Sequence, residues 1–259
     1  MKPILRVAIT LFALTVALAA NTPAQDASSR ILDRGKFVTF KDDVPIATER
    51  FEYSRQGDTL VVTANAERRR RKPDGSEQRT TKSMVLHARA DDFGMLKYAS
   101  NETDDGRTLV HGIVPNDTML TVFTEAARER GGADMIERPP GRFFAIDTGL
   151  FTLFDVIGRN LQHRIFGSRA VQLVVLGTET RNVEATATLA GPDTVVWGGR
   201  RVVTERIALR DSTSAFTLWL SPEGHMLRLE SEDGRLVVMR EPPASTPTVK
   251  RPRPRSRRP

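Results

Sequence analysis

Four histidines, His87, His111, His163 and His225, are spread over separate stretches of the chain. None pairs with another at the i, i+4 spacing, and none sits in the HExxH frame from which a helix presents a zinc site. Cysteine is absent, so the chain has no thiol nucleophile, no thiolate ligand and no disulfide. A serine nucleophile lacks its usual setting, since neither G-x-S-x-G nor S-x-x-K occurs. Carboxylates gather at Asp91-Asp92 and at Glu102, Asp104 and Asp105. These are polar turn positions where water accounts for them, whereas an acid/base pair needs one carboxyl pressed against an apolar wall. Trp197-Gly198-Gly199-Arg200 reads as a turn or bulge, because a phosphate cradle needs its glycines between a strand and a helix start. No catalytic residue, metal site or cofactor is expected. An enzyme of unrecognised type would have to assemble its site from groups far apart in sequence.

The apolar residues concentrate instead in GRFFAIDTGLFTLFDVIGRNLQHRIFG, residues 141–167, which holds five of the twelve phenylalanines. Leu150, Leu153, Phe154, Ile157, Leu161 and Ile165 form a helical stripe, with Asp147 or Thr148 to cap its start and Gly167 its end. This spacing predicts a helix over 149–166. Two readings stand: the stripe is closed core, or it lines a ligand pocket. On the second reading Phe144, Phe151, Phe154, Ile157 and Leu161, together with Phe216 and Leu218 from a later strand, are the pocket candidates.

Around this helix the pattern alternates with period two, as strands with one buried face do. Leu60, Val62, Ala64 and Ala66 share one parity, and so do Met84, Leu86 and Ala88 across the turn Pro73-Asp74-Gly75, which predicts a long hairpin. Gly35 to Tyr53 reads as a strand pair bent at Asp42-Asp43, and Asp104-Asp105-Gly106 separates two further strands. Beyond the helix, strands run from Ala170 to Arg240, with turns at Gly191-Pro192-Asp193, Pro222-Glu223-Gly224 and Glu232-Asp233-Gly234. Met119, Val122, Phe123 and Ala126 recur at i, i+3, i+4 and i+7, behind Asn116 and Asp117 and before Gly131-Gly132, so a second, short helix is expected there. The fold class is mainly β: a strongly curved antiparallel sheet or incomplete barrel of about ten to twelve strands, with one or two helices packed in its concave face.

The ends carry an address. Lys2 and Arg6 precede the apolar run Val7 to Ala20, and small residues follow, which predicts a Sec-type signal peptide over 1–24. The run is short for a membrane span of about 20 residues, a retained anchor being the alternative. Without cysteine the mature protein is not a lipoprotein, and periplasm or secretion is its expected location. The last residues, 242–259, are rich in proline and arginine and read as a disordered tail after a β domain over 30–241. Its Lys250, Arg251, Arg253, Arg255, Arg257 and Arg258 are candidates for binding an anionic envelope surface, a solvated terminus being the plainer reading. With these six and the two leader cations set aside, the formal charge of +7 falls to about −1. No nucleic-acid partner is therefore expected. Arg68-Arg69-Arg70-Arg71-Lys72 places five further cations at a hairpin tip, as a solvated loop end or a docking patch.

The meander Gly35 to Ile113, the segment Phe143 to Ile165 and the hairpins from Ala170 to Arg240 together resemble the periplasmic lipoprotein-carrier fold of the LolA and LolB type, and the DUF3108-type periplasmic proteins. The likeness covers most of the mature chain and is one of architecture, without a specific motif. It implies a non-enzymatic binder or carrier of a lipid, acyl chain or lipidated protein. A structural or docking module of the envelope, using the basic tail, is the alternative.

Overall fold

Inward and outward residues alternate so regularly that most of the described residues are drawn into a single sheet. The computed structural model describes residues 29–126, 131–162, 167–177 and 179–243. The leader 1–24 and the tail cations from Lys250 to Arg258 lie outside them.

Eight strands form the first meander: β1 (Arg30–Lys41), β2 (Val44–Gln56), β3 (Thr59–Arg71), β4 (Glu77–Arg89), β5 (Met95–Asp104), β6 (Arg107–Pro115), β7 (Met119–Ala126) and β8 (Gly132–Glu137). Then follow β9 (Phe143–Asp147), helix α1 (Thr152–Leu161), β10 (Ser168–Leu176), β11 (Arg181–Trp197), β12 (Arg200–Arg210), β13 (Ala215–Leu220), β14 (Met226–Ser231) and β15 (Leu236–Arg240). The sheet order is β8 to β1, then β15 down to β9. The pairing of β1 with β15, Phe37 opposite Arg240 and Lys41 opposite Leu236, joins the two ends of the domain. The sheet is open, its edges being β8 and β9. Every pairing is antiparallel except β9 with β10, and a parallel pair needs a crossover, which α1 supplies.

The expected hairpin is β3 with β4, in register from Thr59 opposite Arg89 to Arg71 opposite Glu77. The bends at Asp42-Asp43 and Asp105-Gly106 have positive φ at both central residues, the conformation that matches the twist of two-residue hairpins. Gly198-Gly199 turns β11 into β12 in the same way, with φ of 59° and 75°.

Three expectations are corrected. Among the described residues the strand count is fifteen, above the ten to twelve read from the sequence. Met119 to Ala126 is β7 rather than a second helix: the same octamer alternates, with Leu120 and Val122 buried, and pairing to both β6 and β8 decides between the two patterns. Asn116 caps no helix there; its backbone N–H closes the β6–β7 turn on the Met119 carbonyl. Gly191-Pro192-Asp193 is not a turn, for β11 runs through it past a bulge between Leu189 and Gly191. Its partner β10 ends opposite Thr188, so Pro192 has a neighbouring strand on one side only, where a missing N–H is tolerated.

Among the described residues α1 is the one helix, and it is shorter than 149–166. Gly149, with φ of 86°, keeps its own residue out of the helix, and Gln162 leaves it at ψ 135° while its side chain bonds the Ser221 carbonyl. Residues 163–166 lie outside the described set. Nine of the ten residues of α1 are buried, so the helix is enclosed around its circumference and not along a stripe alone. It lies so close to β13 that a Cβ on Gly158 would stand 2.8 Å from Leu220 Cδ2.

Candidate functional site

An enclosed helix needs partners for its polar groups, and the sheet supplies them. Glu49 on β2 has the same inward parity as Phe51 and Tyr53, and its carboxylate accepts the backbone N–H groups of Phe151 at 2.7 Å and Thr152 at 3.1 Å. It therefore caps α1 from about a hundred residues away, the role assigned from the sequence to Asp147 or Thr148. Burial removes water from the Glu49 carboxyl and raises its pKa to about 7, against the two N–H bonds, which favour the charge. Desolvation thus outweighs the helix terminus at this site.

Further along α1, Asp155 is wholly buried. One oxygen accepts Tyr53 Oη at 2.7 Å and Arg159 Nε at 2.9 Å, and the other accepts the Met226 N–H at 2.7 Å. Arg159 lies over the Tyr53 ring at 4.1 Å and also pairs with Asp33, which Arg240 holds at 2.6 Å. Burial works against the Asp33 charge, but bonds from His225 and Arg240 and the charges of Arg240 and Arg159 keep its carboxyl well below the usual range. Strands β1, β2, β14 and β15 are thereby tied to one helix.

A second polar cluster fixes the loop ahead of α1. Asp147, on β9, accepts Lys82 Nζ at 2.5 Å on one oxygen, and Tyr98 Oη and Ser100 Oγ, each at 2.7 Å, on the other. Lys82 also meets Glu102 at 2.9 Å and the Thr148 carbonyl at 3.2 Å. Its three donors are spent, which leaves no free amine for nucleophilic chemistry. Burial lowers the pKa of the neighbouring His111, partly offset by Asp147. Among the described residues no group of histidines and carboxylates is arranged to hold a metal.

Beside this cluster opens a cavity of about 310 Å³. Thr148, Gly149 and Phe151 line it with Lys82 and Glu102, and so do Thr39 and the apolar Ile46, Ala47, Ala66 and Leu236. Arg68 and Thr80 stand on its lining from β3 and β4. Its size sits at the lower end of small-molecule pockets. Another depression, of about 430 Å³ over Thr48, Arg50, Glu67 and Arg79, is lined mainly by residues of the outward parity and is polar.

Of the seven pocket candidates, only Phe151 reaches this cavity. Phe144, Ile157, Leu161 and Leu218 are closed core, at 0 to 5% exposure. Phe154 and Phe216 pack edge to face at 5.0 Å and line a hollow of about 80 Å³, too small for more than a few methylenes. Glu49, Lys82, Asp147, Asp155 and Arg159 were not singled out as site residues by sequence reasoning. The available signal was charge at a buried parity, Glu49 among Phe51 and Tyr53, and Lys82 beside Met84 and Leu86.

Neither a protein-family model nor a curated protein matches this chain. Among solved structures three chains match. One is a β-barrel-like protein of the domain of unknown function DUF1849 from Brucella abortus, at 10% identity and a TM-score of 0.54, with 80% of this chain and 94% of that chain covered. The likeness is one of fold: a mainly β, open, barrel-like sheet.

Proposed function

We propose that this protein is an exported, non-enzymatic binder of a small amphiphile, taken up in the cavity beside Phe151. The observation that carries the proposal is the cavity itself, whose apolar lining of Ile46, Ala47, Ala66, Phe151 and Leu236 adjoins the paired Lys82 and Glu102. Export rests on the leader composition of residues 1–24. The LolA and LolB likeness supports the same reading: a curved sheet holding α1 on its concave side leaves room for a ligand only at a mouth. The volume favours a single short chain over a whole lipidated protein. Burying eight carbons contributes about 6 kcal/mol before the costs of association, which corresponds to weak to micromolar affinity.

The test is titration of the purified chain with octyl glucoside, followed calorimetrically, against Ala47→Phe, which places a ring in the cavity. Saturable binding to the native chain and its loss in a folded Ala47→Phe variant support the proposal. Equal binding by both would place the ligand elsewhere and end it.

A further inference from the structure

The β3–β4 hairpin runs past the rim of the sheet, because β2 pairs with β3 only as far as Ala47 opposite Arg68, while β3 and β4 continue to Arg71 opposite Glu77. Its outward parity is internally neutralised. Glu67 takes Arg69 and Arg79, each at 2.8 Å, and Arg69 also meets Glu77 at 3.5 Å. At the tip Lys72 pairs with Asp105 at 2.6 Å. The inward parity is different: Arg68 lines the cavity, Arg70 stands one inward position further out, and among the described residues neither side chain makes a hydrogen bond or ion pair. The carboxylates on this side have other hydrogen-bond partners. Asp104 accepts Gln78 and Thr80, bonds that lower its pKa, with help from the charges of Lys72 and Arg68, and Glu102 holds Lys82.

We infer that the ligand is an anionic amphiphile, its chain in the cavity beside Phe151 and its phosphate or carboxylate head held by Arg68 and Arg70. This rests on the amphiphile reading above and names the chemistry of the head. Two guanidinium forks two strand residues apart, about 7 Å along the strand, suit an oxyanion that one fork or both can chelate. The arginines continue the cavity outward, so a chain inserted beside Phe151 brings its head to them.

The experiment is calorimetric titration of the full chain with octyl phosphate, octyl glucoside and inorganic phosphate, repeated on Arg68→Ala/Arg70→Ala. Both residues are exposed, so the double variant is expected to fold. The native chain is expected to prefer octyl phosphate over octyl glucoside by about tenfold or more, and the double variant to lose that preference. Equal affinities in the native chain, or a preference that survives in the double variant, would overturn the anionic head while leaving the cavity reading intact. Failure of both octyl compounds to bind would overturn the cavity reading and this inference with it. Inorganic phosphate binding as tightly as octyl phosphate would show a plain anion site with no place for a chain, and would also overturn the inference.

Discussion

Glu49 offers the sharpest prediction, because a single buried carboxyl on a distant strand caps α1. Its ordinary pKa of 4.5 rises to about 7 in the folded protein. The folded state therefore binds the proton more tightly than the unfolded chain, and stability falls as pH rises between those values. Below pH 4.5 the contribution of the protonated group is fully present; above pH 7 it is lost. A rise of about 2.5 units corresponds to about 3 kcal/mol, a large part of a typical folding stability. Urea denaturation of the native chain and of Glu49→Gln at intervals from pH 5 to pH 8 reads this out. Glutamine keeps one acceptor for the N–H groups of Phe151 and Thr152 but cannot ionise. The difference between the two curves should shift by about 2.5 kcal/mol in favour of the glutamine variant between pH 5 and pH 8, the remainder falling below pH 5. His111 works in the opposite direction, its lowered pKa costing stability as pH falls, and it cancels in the comparison. Parallel curves would refute the reasoning, for they would mean that Glu49 titrates as it does in water.

Other predictions follow from the anchoring of the helix. Asp155→Ala leaves Tyr53 Oη only a long 3.4 Å bond to the Thr152 carbonyl, removes the side-chain acceptor of the Met226 N–H and takes one carboxylate from Arg159, so it should lower the unfolding free energy by about 4 kcal/mol with an unchanged urea slope. Gly158→Val forces branched carbons onto Leu220 and should cost about 2 kcal/mol, measurable by thermal unfolding. Lys82→Met leaves Asp147 with Tyr98 and Ser100 but without its cation, and a loss of about 3 kcal/mol is expected in urea. Fully retained stability in Asp155→Ala or Lys82→Met would show that the polar ties to α1 and its loop are dispensable, and in Gly158→Val that α1 has room to move away from Leu220.

The hairpin β3–β4 was legible because its parity, its β-branched residues and its Pro-Asp-Gly turn all agree. The stretch Met119 to Ala126 was not, since eight residues that satisfy both a helical and an alternating pattern are decided by neighbours distant in sequence. The Gly-Pro pair inside β11 misled for a similar reason: whether proline ends a strand depends on whether a second strand lies alongside, which is a fact of topology. The pocket candidates show a further limit. Apolar bulk at helical spacing marks where space is filled, and an enclosed helix fills it on every side. Space is left where residues are small, at Ala47, Ala66 and Gly149, and composition gives these no weight. The anchors Glu49, Lys82 and Asp155 were written in the sequence as charges on buried faces, but their partners came only with the fold.

The most direct test of the central claim is native mass spectrometry of the protein isolated from an envelope fraction without detergent, with organic extraction of whatever it carries. A one-to-one complex with a chain-bearing anionic species, absent from Ala47→Phe, is the predicted result. A ligand-free protein that also rejects added fatty acids and phospholipids would contradict it.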